Sequence, residues 1–91
     1  MYLISIAGRE TEGAYAAIDE LGTSILYIFE EEDDAMRFAM LLEEDDYPKM
    51  NAVEVDKEMA IQACELHGYE YQIFTAEDIV IPPYKQNTDF I

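Results

Sequence analysis

The chain has 91 residues, the size of one domain, and a domain that small buries only about 60–65% of the surface its unfolded form exposes. Apolar residues make up 51%, which excludes low-hydrophobicity disorder, while 21 Asp and Glu against 5 Lys and Arg set a formal charge of −16. That balance leaves no basic footprint for direct contact with a nucleic-acid backbone or an anionic membrane surface.

The first strand is expected over Tyr2 to Ala7, closed by Gly8. The N-terminus Met1-Tyr2-Leu3-Ile4-Ser5-Ile6 lacks the basic region of a signal peptide. No apolar run reaches the roughly 18 residues of a membrane span. Residues Glu12 to Leu21 carry Ala16, Ala17 and Leu21 at helical spacing between Gly13 and Gly22, which predicts a short helix. Ser24 to Phe29 is almost continuously apolar and aromatic, as a strand buried on both faces would be.

A helix follows from Asp33 or Asp34 to about Glu44, with the stripe Ala35, Phe38, Ala39, Leu42 and acids in its first turn that suit the helix dipole. Pro48 ends it, and Ala52-Val53-Glu54-Val55 alternates as a strand. Asp56 is the expected N-cap of a helix over Lys57 to His67, and Gly68 its left-handed stop. Tyr69 to Thr75 alternates again. Glu77-Asp78 make a turn, and Ile79-Val80-Ile81 a last short strand stopped by Pro82-Pro83.

The order β-α-β-α-β-α-β-β predicts an α/β (α+β) fold, a small two-layer sandwich. Its single sheet would have four or five strands, with two or three helices on a face. Residues 1–83 would form one acidic domain and residues 84–91 an extended C-terminal tail.

The central block also resembles a known family. The residues that carry the likeness are Phe29 to Ala35, Arg37-Phe38-Ala39, Leu41-Leu42-Glu43 and Tyr47-Pro48. Val53, Glu54, Asp56, Ala63-Cys64-Glu65, Gly68-Tyr69-Glu70 and Pro82-Pro83 extend it. This pattern, over roughly residues 24–83, resembles a cyanobacterial and chloroplast family catalogued as domain of unknown function 3110. The first 20 residues match it less well. The ending Asp89-Phe90-Ile91 is similar to the short acidic versions carried by cyanophages. The resemblance implies a photosynthetic setting and no reaction, so no functional residues are carried over.

Chemistry-bearing residues are sparse. Cys64 and His67 stand three apart on one predicted helix and can share a face. Zinc needs three or four ligands, and one Cys and one His do not supply them. A nucleophilic thiolate would want positive neighbours, whereas Glu65 and Glu70 are negative. The expectation is a buried thiol beside a helix-terminal imidazole. With one cysteine and no internal disulfide, the expected compartment is the reducing cytoplasm. The chain carries no G-x-G-x-x-G, P-loop or G-x-S-x-G pattern, and no calcium-loop spacing. No enzyme activity, cofactor or metal site is expected.

Two acidic runs remain. Glu30 to Asp34 is explained by the helix start, but Glu43 to Asp46 sits at the helix end, where each carboxylate costs about 0.3–1 kcal/mol. Residues that oppose local stability are candidates for function. Glu43, Glu44, Asp45, Asp46 and Tyr47 are therefore the expected partner-binding site, for a protein with a basic surface. Of the seven tyrosines, Tyr2, Tyr27, Tyr69 and Tyr71 are expected to pack in strands, and Tyr15, Tyr47 and Tyr84 to lie in less regular, more exposed segments. The leading expectation is a non-enzymatic acidic interaction module, an adaptor, assembly factor or modulator. The alternatives are a nucleic-acid mimic that inhibits a DNA- or RNA-binding enzyme, and a small-ligand or metal sensor.

Overall fold

Ser24–Phe29 (β3) holds the sheet together because its side chains are apolar on both faces and its backbone is paired on both edges. The computed structural model describes residues 1–10, 13–78, 80 and 88–91. Around β3 it sets Tyr2–Ile6 (β1), Tyr15–Ile18 (β2), Met50–Glu54 (β4), Glu70–Phe74 (β5) and Thr88–Phe90 (β6). Two helices, Glu32–Glu44 (α1) and Lys57–His67 (α2), complete an α+β fold.

The register shows how β3 serves three neighbours. Ile25 to Phe29 pair in parallel with β5 along one edge. The other edge is shared end to end: Ser24, Ile25 and Leu26 pair antiparallel with β2, and Phe29 pairs with Tyr2 of β1. β1 carries β4 on its far side, and β2 carries β6. The sheet therefore forks along that edge of β3, and Ser5 tightens the fork by donating its hydroxyl to the carbonyl of Gly13 at 2.9 Å.

Alternation along each strand assigns two cores. Ile4, Tyr15 and Phe29 pack with Ala35, Phe38, Ala39 and Leu42 of α1. Leu3, Ala14, Leu26 and Ile28, at the alternate positions, pack with Ala60 and Cys64 of α2. The fold is the expected α+β class, with one sheet and two helices, and the helices divide between the two faces of the sheet. A β-strand with large apolar side chains on both faces needs cover on both, and β3 is such a strand.

The helix ends follow the local code. Asp56 caps α2 by accepting from the Met59 N–H at 3.1 Å, and Gly68 beyond the helix takes φ 75°. Acids fill the first turn of α1, although the Glu31 side chain at its N-cap makes no capping bond.

The segment 12–21 is a correction. Over its described residues, 13–21, it is not a helix: Tyr15–Ile18 is a strand, and the chain then turns through Asp19 to Gly22 into β3. Asp19 holds the turn by accepting from the Leu21 and Thr23 N–H groups at 2.9 Å each. Leu21, which a helical stripe would bury, is 91% exposed, while Ala14, Tyr15, Ala16 and Ala17 are buried in succession. Alanine's preference for helix is a weak bias that tertiary pairing overrides. Residues 11 and 12 lie outside the described residues.

At the other end of the chain, β6 pairs with β2, and Ala14 and Ile91 exchange backbone hydrogen bonds at 2.7 and 2.9 Å. Gly13 makes this approach possible: a Cβ there would stand 3.3 Å from the Ile91 carbonyl oxygen. Of the strand expected over Ile79 to Ile81, only Val80 is described, packed against the α1 core; Pro82, Pro83 and Tyr84 lie outside the described residues. No helix among the described residues is long and apolar enough to cross a membrane.

Candidate functional site

The acidic end of α1 separates into residues with structural work and residues without it. The Asp46 N–H bonds to the Glu43 carbonyl at 3.2 Å, and the Tyr47 N–H bonds to the Leu42 carbonyl at 3.2 Å. Those two bonds form a Schellman stop, whose left-handed residue is normally glycine. Here it is Asp46, at φ 68°. Tyr47 lies just past it and packs against the α1 core, its ring centroid 6.5 Å from that of Tyr15. The Glu43 carboxylate accepts from the Met50 N–H at 3.2 Å and ties the helix end to the start of β4.

Glu43, Asp46 and Tyr47 thus help close the helix. The side chains of Glu44 and Asp45 do not: Asp45 contributes only its N–H, which bonds to the Leu42 carbonyl at 3.0 Å, and both side chains are exposed with no hydrogen-bond or ion-pair partner among the described residues. The last turn of α1 holds no basic residue to offset them. On the same outward face, Met40 is 62% exposed and Met36 39% exposed. The helical repeat brings Asp33, Met36, Met40 and Glu44 into one stripe turned away from the buried Ala35, Phe38, Ala39 and Leu42. Helical spacing by itself places these two methionines as an outward pair, opposite the stripe of Ala35, Phe38, Ala39 and Leu42.

The tyrosines sort differently from expectation. Tyr15 is fully buried, while Tyr71 on β5 is 39% exposed. Tyr2, Tyr27 and Tyr47 pack against the α1 core, and Tyr69 against the α2 core.

On the opposite face, Cys64 is buried and His67 stacks on Tyr69 with centroids 5.8 Å apart. Cys64 and His67 both line an apolar cleft of about 270 Å³ between α2 and the sheet, with Leu3, Ala14 and Leu26. Burial, and then the charge of Glu65, push the Cys64 thiol above its ordinary pKa. That is the opposite of what a nucleophile needs. Burial likewise raises Tyr27, and Glu54 together with burial raises Tyr2. Groups with raised folded values contribute stability that is complete below their unfolded pKa and is lost as pH climbs through the folded one. Stability should therefore hold to about pH 8.5 and decline above it, where an unfolded thiol ionises. Urea midpoints at pH 7, 9 and 10.5 test this, and a midpoint flat across that range would contradict it.

Among the described residues, no group of three or more His, Cys, Asp or Glu side chains is placed to hold a metal ion. Compared with known families, the chain matches the model of a Domain of unknown function (DUF3110) over residues 2–84, which takes in the N-terminal segment as well as the central block. No curated protein and no solved structure matches it.

Proposed function

We propose that this chain, which belongs to the DUF3110 family, is a non-enzymatic acidic interaction module that docks a protein with a basic surface through the outward face of α1. The observation that carries the reading is the pair Glu44 and Asp45. They stand exposed where the helix dipole disfavours them, with no partner among the described residues, beside the exposed Met40. Charge of one sign flanking methionine suits a partner segment that is itself basic and apolar, because thioether side chains adapt to varied surfaces. The partner belongs, in this reading, to the cytoplasm of a photosynthetic cell or of a cyanophage-infected one.

The test is affinity capture from a cyanobacterial lysate with two baits, the wild type and a Glu44→Lys, Asp45→Lys double variant. Glu43 is left in place because it bonds to the Met50 N–H. The variant should fold as well as the wild type, or slightly better, since each lysine suits the helix end by about 0.3–1 kcal/mol. One protein enriched by the wild type, lost with the variant and weakened by salt is the expected result. Equal capture by both baits would exclude this face as the contact.

A further inference from the structure

The other end of α1 carries a second, independent feature, which does not rest on the docking role proposed above. A pocket of about 190 Å³ opens between the first turns of α1 and the end of β5. One wall is aromatic: Phe29 lies 5.5 Å from Phe38 and 5.3 Å from Phe74, centroid to centroid. The polar lining is Asp34, Arg37, Thr75 and Asp78. Asp78 is committed locally, accepting from the Thr75 N–H at 2.7 Å and from the Thr75 hydroxyl at 3.3 Å.

Asp34 is only half satisfied. Its Oδ1 accepts from Arg37 Nη1 at 3.0 Å, but its Oδ2 is buried with no hydrogen-bond partner among the described residues. A carboxyl oxygen shut away from water without a donor is an unusual and costly arrangement. Arg37 does not relieve it, because its side chain is 71% exposed and holds only the other oxygen. Among the described residues the pocket lacks a donor at that point, and its sign is negative. The positive end of the helix is already offset by Glu32, Asp33 and Asp34 in the first turn.

We infer that this pocket receives a guanidinium or ammonium group carried on an apolar stem. The cation would supply the donor that Asp34 Oδ2 lacks, after a small rotation of the carboxylate. Phe74, the partly exposed ring of that wall, would attract it through its ring quadrupole, and the stem would lie against Val80. A hard metal ion fits less well, because calcium takes six to eight oxygens and five of the nine described lining residues are aromatic or aliphatic. The same chemistry is offered by a free small amine or by an arginine or lysine side chain of a partner.

Two-dimensional NMR titration of the whole chain tests this with agmatine, n-butylamine, n-butanol and a blocked Gly-Arg-Gly peptide. Agmatine or n-butylamine should give saturable shifts at Asp34, Arg37, Phe74 and Thr75, while n-butanol should not. Binding by the peptide as well would name a partner side chain as the source, and binding by the free amines alone a small molecule. Asp34→Asn should weaken the affinity about tenfold or more, the loss of a charge-assisted hydrogen bond. Arg37→Gln removes the resident competitor and should tighten it. Asp45→Asn, at the far end of α1, should leave it unchanged. The inference fails if no saturable shift occurs at millimolar ligand. It fails equally if Asp45→Asn weakens binding as much as Asp34→Asn, for the cations would then be answering diffuse charge.

Discussion

Replacing Tyr15 with alanine should cost about 3–5 kcal/mol, the usual penalty for removing a large aromatic side chain from a packed core. The ring is fully buried and touches four others, with centroids 5.4 Å from Tyr27, 5.3 Å from Phe38, 6.5 Å from Tyr47 and 6.2 Å from Phe90. It joins β3, α1, the helix stop and the C-terminal strand at one point. Small domains have net stabilities of about 5–15 kcal/mol, so the variant should unfold near ambient temperature or at low urea. Leu21→Ala makes the matched comparison, because Leu21 is 91% exposed. Its effect should stay within about 0.5 kcal/mol. A helix over this segment would predict a substantial loss at Leu21 as well. Urea denaturation of both variants, followed by circular dichroism, separates the strand from the helix.

Asp46→Gly should stabilise the protein by about 1 kcal/mol. Asp46 is the non-glycine residue with positive φ among the described residues, at 68°, and a left-handed L-residue costs about 1–2 kcal/mol. Aspartate tolerates that region better than most, and glycine returns part of the gain through the freedom of its unfolded chain. Removing one carboxylate from the negative end of α1 adds a further favourable increment of about 0.3–1 kcal/mol. For a domain of this size, 1 kcal/mol corresponds to about 4–8 °C in Tm. Asp46→Val should move the midpoint the other way, since a β-branched residue is a genuine outlier at positive φ. Thermal melts of the two variants against wild type check both signs. The comparison also bears on the docking face, because an Asp46→Gly variant that is more stable yet captures its partner normally would separate helix closure from recognition.

Much of the architecture is legible in the amino-acid sequence. α2 runs over Lys57–His67 with Asp56 and Gly68 at its ends as expected, and α1 begins at Glu32, one residue before the expected start. Helices are legible because their signals are local: period, cap and stop all lie within a few residues of one another. β3 was legible for a similar reason, as its apolar run bounded by polar residues admits few other structures. Within the candidate site, the spacing already exposed the conflict between Glu44, Asp45 and the helix dipole.

What the chain does with Ala14 to Ile18 is decided elsewhere in the molecule. Three alanines, a tyrosine and an isoleucine carry no decisive local preference, and the segment becomes a strand because β3 on one side and β6 on the other both offer it a ladder. The same is true of the division of helices between two faces, of the chain closing on Ala14 through Ile91, and of the buried oxygen of Asp34. Each depends on residues far apart in sequence meeting in space. Local energies, of a few tenths to one kcal/mol per residue, determined the helices and their ends by themselves. Pairing across the sheet, where backbone hydrogen bonds and burial act together on distant segments, decided the rest.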